Sequence, residues 1–160
     1  MTTNATAPAF RYIGVTDECV ECQKCGKAQL RSTVVLAILD ADGNTEDVTY
    51  YGSSCAARAL AERGTPVKGG GRAVLQSARW AQERLRNEAE DARRMLAHYG
   101  LPETGWVDDD TLRDATRAYI RQGNSVSFLC SKYNVRAKVV VLEMLARKRR
   151  VLAEAALVGL

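Results

Sequence analysis

The sequence predicts an α+β fold, with a small β-hairpin and helix module near the N-terminus followed by a mainly α-helical region. The first observation is a run rich in β-branched residues at 32–39, which a turn at 40–44 joins to a second strand-like run at 47–51. The second is a series of apolar residues at helical spacing after residue 71. Three consecutive glycines at 69–71 separate the two patterns. We therefore expect one β-containing part and one helical part.

Composition places the chain among globular proteins of one or two small domains. It has 160 residues, of which 46% are hydrophobic, and a formal net charge of +4, which suits a nucleic-acid partner. No apolar run of about eighteen residues occurs, so the sequence predicts no membrane-spanning segment. The N-terminus lacks the features of a signal peptide, and residues 1–16 are predicted to be a disordered leader. We therefore expect a cytoplasmic protein whose cysteines stay reduced.

Four cysteines in the segment 17–62 have the spacing of metal ligands. Cys19, Cys22 and Cys25 follow one another at three-residue intervals. The glycine after Cys25 permits a tight turn that directs backbone N–H groups towards sulfur. Cys55 lies in the predicted first turn of a short helix, where free N–H groups and the helix dipole favour its thiolate. The four thiolates together would form a closed structural metal site rather than a catalytic one.

The order Cys-x-x-Cys-Gly, hairpin, Gly-x-x-Cys resembles the treble-clef zinc modules that are common in phage and mobile-element proteins. The resemblance implies a structural Zn²⁺ on Cys22, Cys25 and Cys55. A treble clef usually takes two ligands from its helix, whereas this helix offers only Cys55, so Cys19 is predicted to be the fourth ligand. A 4Fe–4S cluster on the same cysteines, or cysteines without metal, are the alternatives. Cys130 is predicted to be a small core residue and the single histidine, His98, a surface or packing residue.

The middle of the chain is predicted to contain a glycine-rich linker at 63–71 and a long amphipathic helix at 72–100. Spacings near three and four residues form one narrow apolar stripe on this helix. We expect the stripe to pack on its own domain, with a homodimer through 72–99 as the alternative. Trp106 and Val107 are expected to anchor the next turn in the core. The stripe consists of Val74, Ala78, Ala81, Leu85, Ala89, Ala92, Met95, Leu96 and Tyr99.

The sequence also contains residues that typically cap the N-termini of helices. Ser53 or Ser54 is predicted to cap the short helix that carries Cys55. The three carboxylates at 108–110 precede a predicted helix and complement its dipole, so we interpret them as capping residues and not as catalytic ones. No nucleophile–base pair, phosphate loop or open metal site is evident in the sequence, so no enzymatic activity is predicted.

The segment 106–160 is predicted to hold two helices joined by a tight turn. Ser125 would cap a short helix, Asn134 would form the turn, and a longer helix would begin at about Arg136. This pattern resembles the helix-turn-helix of bacterial regulators, which implies that the second helix enters the major groove of double-stranded DNA. The apolar residues predicted to face inward on the longer helix are Val139, Val140, Met144 and Leu145.

Positive charge concentrates in the same segment, which indicates a phosphate-binding surface. The predicted DNA-binding residues are Lys132, Arg136, Lys138, Arg147, Lys148, Arg149 and Arg150. The sequence therefore predicts a small zinc-containing DNA-binding protein, either a transcriptional regulator or an accessory factor of a phage or mobile element. Val141 and Leu142 fall on helix turns that usually face DNA, which favours one alternative, a protein–protein adaptor or a homodimer through the C-terminal helix. The other alternative is an iron–sulfur or thiol redox sensor.

Overall fold

A computed structural model describes residues 9–122 and 134–160 of the chain. The described residues form three strands and four helices, in the order βββαααα. They divide into two compact units. The first unit contains the chain up to residue 85 together with residues 155–160, and the second contains residues 86–154. The α+β class predicted from the sequence is confirmed.

The first unit is built on a three-stranded antiparallel sheet. Its strands are β1 (Phe10–Thr16), β2 (Thr33–Leu39) and β3 (Thr45–Tyr51), in the spatial order β1-β2-β3. The sequence prediction placed residues 1–16 in a disordered leader, and this is wrong for Phe10–Thr16. A register shift between Tyr12 and Gly14 interrupts the alternation that identifies a strand in a sequence.

The turn between β2 and β3 has the predicted form. Asp40 accepts backbone N–H groups from Asp42 and Asn44 through its carboxylate, at 3.0 and 2.8 Å. Gly43 has φ +80°, a left-handed conformation that glycine adopts without steric cost. The hydrogen bonds to Asn44 and Asp42 hold the pKa of the Asp40 carboxyl below its usual value, although partial desolvation opposes them. The turn therefore fixes the register of β2 against β3.

Helix α1 (Ser53–Glu62) follows β3 directly. Its N-cap is Gly52, which has no capping side chain, so the predicted capping by Ser53 or Ser54 is wrong. Helix α2 (Gly70–His98) begins inside the glycine run that was predicted to be part of a linker. Position 71 requires glycine, because a Cβ atom there would lie 2.9 Å from the backbone nitrogen of Ser54.

The first hydrophobic core lies in the first unit and joins β2, α1 and the start of α2. Its buried members are Val34, Leu36, Ala56, Leu60, Val74 and Ala78, and Phe10, Tyr12 and Val15 of β1 pack against it. Gln82 of α2 adds a polar connection, because its side-chain oxygen accepts the backbone N–H of Val15 at 3.2 Å. Seven of the nine residues predicted for the apolar stripe of α2 are buried: Val74, Ala78, Ala81, Leu85, Ala89, Ala92 and Leu96.

The second hydrophobic core lies in the second unit. It consists of Leu96, Leu101, Leu112, Ala115, Val141 and Leu145. Helix α3 (Asp109–Arg121) begins after Asp108, whose carboxylate accepts the backbone N–H of Thr111 at 2.8 Å, so the predicted cap is confirmed. Trp106 was predicted to be in the core, but its side chain is 82% exposed, and Leu101 occupies the core position near this turn.

Helix α4 (Asn134–Ala156) lies in the second unit up to residue 154, and its last two residues belong to the first unit. Asn134, the predicted turn residue, is the first residue of this helix. The short helix predicted after Ser125 lies outside the described residues. The buried face of α4 carries Ala137, Val141 and Leu145, whereas Val139, which was predicted to face inward, is 47% exposed.

None of the helices within residues 9–122 and 134–160 has the length and apolar character needed to cross a membrane.

Candidate metal centre

Three of the four predicted metal ligands converge in the first unit. The Sγ atoms of Cys22, Cys25 and Cys55 all lie within 4.8 Å of one another. Thiolates bound to one tetrahedral zinc ion at about 2.3 Å are roughly 3.8 Å apart. The three sulfurs are therefore within about 1 Å of the spacing that a single ion imposes.

The segment after Cys22 folds as a metal-binding knuckle. The carbonyl oxygen of Cys22 accepts N–H groups from Cys25 at 3.3 Å and from Gly26 at 2.8 Å, and the N–H of Cys22 donates to the carbonyl of Lys27 at 2.9 Å. Gly26 has φ +69°, which a residue with a side chain rarely adopts. This tight turn brings Cys25 back beside Cys22, as the Cys-x-x-Cys-Gly pattern predicts.

Gln23 connects this knuckle to the end of β3. Its backbone N–H donates to the carbonyl of Tyr50 at 2.9 Å, and its side-chain oxygen accepts the N–H of Tyr50 at 2.9 Å. Because α1 begins two residues after β3, the same connection sets the position of Cys55 in the first turn of the helix. The role of Gln23 was not predicted, because a side-chain oxygen that accepts a strand N–H has no characteristic spacing in a sequence.

The electrostatic environment favours a thiolate at Cys22. Burial raises the pKa of this thiol, but hydrogen bonds from the backbone of Gly52, Cys25 and Lys24 outweigh burial and lower its pKa to about 7. Burial and the neighbouring sulfurs of Cys25 and Cys22 instead raise the pKa of Cys55 to about 11. A divalent cation would relieve this mutual repulsion by neutralising thiolate charge, so the arrangement is suited to binding a metal ion.

Cys19 lies outside this group of three sulfurs. Its carbonyl oxygen accepts a hydrogen bond from the hydroxyl of buried Thr33 at 2.8 Å, and its Sγ lies 3.6 Å from the carbonyl oxygen of Glu21. The structure therefore does not confirm Cys19 as the fourth ligand. His98 is exposed and contacts the side-chain amide of Gln122, in agreement with the surface role predicted for it.

The predicted DNA-binding residues have three different environments in the second unit. Lys148 forms an ion pair with Asp91 at 2.7 Å and has only 19% of its side chain exposed. The guanidinium group of Arg149 donates to the carbonyl oxygen of Pro102 at 2.9 and 3.1 Å. Lys138 pairs with Asp109 at 3.1 Å and remains 49% exposed. Arg147 and Arg150 are exposed on the same helix, whereas Lys132 and the side chain of Arg136 lie outside the described residues.

The sequence patterns did not predict a basic groove that lies between α3 and α4. It has a volume of about 400 Å³ and is lined by Arg113, Arg117 and Lys138, together with Asp109, Thr116 and Ile120. Arg113 and Arg117 are 58% and 60% exposed, and each pairs with an aspartate three residues earlier on the same helix. The four-residue interval between these arginines, on one helix face, is the signal that could have located the groove.

An exposed apolar pair lies on the outer side of α4. Val139 is 47% exposed and Leu142 is 41% exposed. Val141, which was expected to face a partner together with Leu142, is fully buried. The apolar outer surface of this helix is therefore formed by Val139 and Leu142.

No protein-family model, curated protein or solved structure matches this chain.

Proposed function

We propose that this chain is a small zinc-containing DNA-binding protein, in which a zinc ion stabilises the first unit and basic residues of the second unit contact the phosphate backbone. The observation that carries the metal half is the convergence of the Cys22, Cys25 and Cys55 sulfurs within 4.8 Å. Thiolates from a knuckle and from a helix start are typical ligands of structural zinc.

The sulfur spacing supports a single ion more than an iron–sulfur cluster. In a 4Fe–4S cluster each cysteine binds a different iron, so the ligand sulfurs stand further apart than on one ion. Cys22, Cys25 and Cys55 are close enough to share one ion. Metal analysis of protein purified without oxygen tests this point. We expect about one zinc per chain, and iron with inorganic sulfide would contradict it.

The basic groove supports the DNA half. Arg113, Arg117 and Lys138 carry three positive charges at the groove, and each is paired with an aspartate. Their ion pairs are exposed to solvent, and such pairs contribute little free energy, so phosphate oxygens can replace the carboxylates. Lys148 and Arg149 already make contacts inside the second unit. We therefore propose that the residues of this groove contact the DNA phosphates instead.

A salt-dependent binding measurement tests the DNA half. The anisotropy of a labelled 20-base-pair duplex would be followed at low and at physiological salt, with wild type and with an Arg113→Gln, Arg117→Gln, Lys138→Gln triple variant. We expect wild-type affinity to fall steeply as salt rises, and the triple variant to bind more weakly with a shallower salt dependence, by about one ion per lost phosphate contact.

The matched control removes the same amount of charge from the first unit. Arg72, Arg79 and Lys68 are exposed there, and their replacement by Gln should leave the affinity within about twofold of wild type after correction for net charge. Equal weakening by the two triple variants would contradict a defined contact at the groove. Absence of duplex binding by wild type at low salt would contradict the DNA-binding function.

A second candidate function is supported by Val139 and Leu142, whose partial exposure on α4 favours a protein–protein contact. A homodimer through this helix is the simplest form of that contact. Sedimentation of wild type and a Val139→Asp, Leu142→Asp variant would test it. We expect a concentration-dependent dimer that the double substitution abolishes, and a wild-type monomer at all accessible concentrations would contradict the homodimer.

A further inference from the structure

The cysteine cluster supplies three protein ligands, whereas a tetrahedral ion needs four. Within residues 9–122 and 134–160, no fourth cysteine, histidine or carboxylate places a ligand atom within 4.8 Å of all three sulfurs. Cys22 is buried, Cys55 is half-buried and Cys25 is exposed. An ion bound to the three sulfurs would therefore have solvent access on the side of Cys25.

The nearest cysteine in sequence is held by its backbone. The carbonyl of Cys19 accepts from the hydroxyl of Thr33, whose side chain is buried in β2. The adjacent carbonyl of Val20 accepts the N–H of Leu30 at 2.9 Å. The Sγ atom of Cys19 lies 3.6 Å from the carbonyl oxygen of Glu21 and outside the group of three sulfurs.

The charge around the cluster decides which kind of donor suits the remaining position. A divalent ion with three thiolates already carries a net charge of about −1. The loop that leads to the knuckle adds exposed carboxylates at Asp17, Glu18 and Glu21. The ammonium group of Lys24 is engaged with Glu62. A fourth thiolate would add further negative charge, whereas a neutral imidazole nitrogen would not, and Cys₃His is an established structural zinc site.

We infer that the metal centre keeps one coordination position open at its Cys25 side, and that this position accepts an imidazole nitrogen from outside the first unit. The inference rests on the proposed metal centre. The donor can come from a histidine of a different protein or from the single histidine, His98, of a second copy of this chain, since that residue is exposed. The site would then be completed by the partner that it binds.

Cobalt substitution of the full chain tests the inference, because Co²⁺ replaces Zn²⁺ in thiolate sites and reports its ligands by absorbance. The near-ultraviolet charge-transfer band grows with the number of bound thiolates. We expect Cys19→Ser and Cys130→Ser to leave the intensity of this band unchanged, since both variants keep the three clustered sulfurs. Titration of the wild-type cobalt protein with imidazole should shift the visible bands with saturation, and Cys19→Ser should show the same shift.

Each other outcome overturns the inference in an identifiable way. A loss of about one quarter of the charge-transfer intensity in Cys19→Ser or Cys130→Ser would show a fourth protein thiolate. Visible bands that do not respond to imidazole in wild type and in His98→Ala alike would show a closed site. A chain that binds no cobalt would remove the metal centre itself, and with it the proposed function, which separates that failure from the other two.

The two sources of the nitrogen donor are separated by concentration. If His98 of a second copy completes the site, the wild-type visible spectrum should change with protein concentration and the change should be absent in His98→Ala. If the donor belongs to a different protein, wild type and His98→Ala should have the same spectrum at every concentration and the same response to imidazole.

Discussion

The ammonium nitrogen of Lys148 lies 2.7 Å from a carboxylate oxygen of Asp91 and so joins α4 to α2 within the second unit. The sequence predicted that Lys148 contacts DNA, but most of its side chain is covered by its own unit. Arg149, the next residue, donates to the carbonyl of Pro102. Two of the four basic residues at 147–150 therefore make polar contacts within the second unit.

The pair of Lys148 and Asp91 predicts a specific pH dependence of stability. The hydrogen bond and charge of Lys148 lower the pKa of Asp91, although desolvation opposes them. A group whose pKa is lowered by folding stabilises the folded state at pH values above its pKa in the unfolded chain, which for aspartate is about 3.9. This contribution is lost as the pH falls through the pKa of the folded state. We expect a double-mutant cycle of Asp91→Asn and Lys148→Met, measured by urea unfolding, to give a favourable coupling at pH 7.

That coupling should decrease steadily below pH 4 as Asp91 becomes protonated. Asp114 provides a matched control, because it pairs with Arg117 three residues away on an exposed helix surface. A cycle of Asp114→Asn and Arg117→Met should give a much smaller coupling at pH 7. A coupling between Lys148 and Asp91 that is absent at pH 7, or that grows as the pH falls, would contradict the ion pair.

Much of the fold could be predicted because its signals are local. The hairpin turn follows from Asp40 and Gly43, which supply the acceptors and the left-handed backbone that the turn needs. The apolar stripe of α2 follows from its spacing. Strand β1 was missed because the register shift at Tyr12 and Gly14 moves successive side chains off strict alternation. The start of α2 was missed because Gly71 is required by a close approach to Ser54, which is a tertiary contact.

The orientation of α4 could not be predicted from periodicity. Residues 139–142 are all apolar, so several helix faces satisfy the pattern equally well. Packing against the second core selects Val141 and Leu145 and leaves Val139 exposed. At the metal centre the knuckle was predicted correctly, since a Cys-x-x-Cys-Gly turn is local. The structure does not confirm Cys19 as the fourth ligand, since its sulfur lies outside the group of three.

Leu36 and Trp80 are expected to differ sharply in their contribution to stability. Leu36 is fully buried in the first core, whereas the ring of Trp80 is 67% exposed. Replacement of a buried leucine by alanine removes apolar contacts and leaves a cavity, which costs about 2–5 kcal/mol. We expect that loss for Leu36→Ala in urea unfolding, and a change within about 1 kcal/mol for Trp80→Ala. Equal losses for the two variants would contradict the burial of one side chain and the exposure of the other.

Gly71 is expected to tolerate no branched side chain. A Cβ atom there would lie 2.9 Å from the nitrogen of Ser54 and 3.0 Å from the carbonyl carbon of Ser53, and backbone atoms cannot move aside as a flexible side chain can. Overpacking of this kind costs roughly 1–3 kcal/mol, whereas the helix-propensity gain from glycine to valine is a few tenths. We therefore expect Gly71→Val to lower the free energy of unfolding of the first unit.

Gly52 provides the control for this prediction. A Cβ at Gly52 would meet the Leu30 side chain at 3.4 Å and the sulfur of Cys22 at 4.0 Å, both of which are ordinary contact distances. Gly52→Ala also retains the backbone N–H that serves Cys22. We expect it to change the stability by less than about 1 kcal/mol. A Gly71→Val variant as stable as Gly52→Ala would show that the start of α2 does not approach α1 closely.

Removal of metal is expected to destabilise the first unit selectively. A metal ion bound by Cys22, Cys25 and Cys55 would link the knuckle to α1, and the unit that holds these residues has a small core. A ligand that binds only the folded state at about a thousand times its dissociation constant adds roughly 4 kcal/mol of stability. For a unit of this size, that corresponds to a decrease in Tm of more than about 10 °C after chelation. Differential scanning calorimetry with and without a chelator measures this decrease. Cys130→Ser is expected to respond to the chelator like wild type, and Cys22→Ser is expected not to respond. A wild-type Tm that the chelator leaves unchanged would mean that no bound metal stabilises the fold.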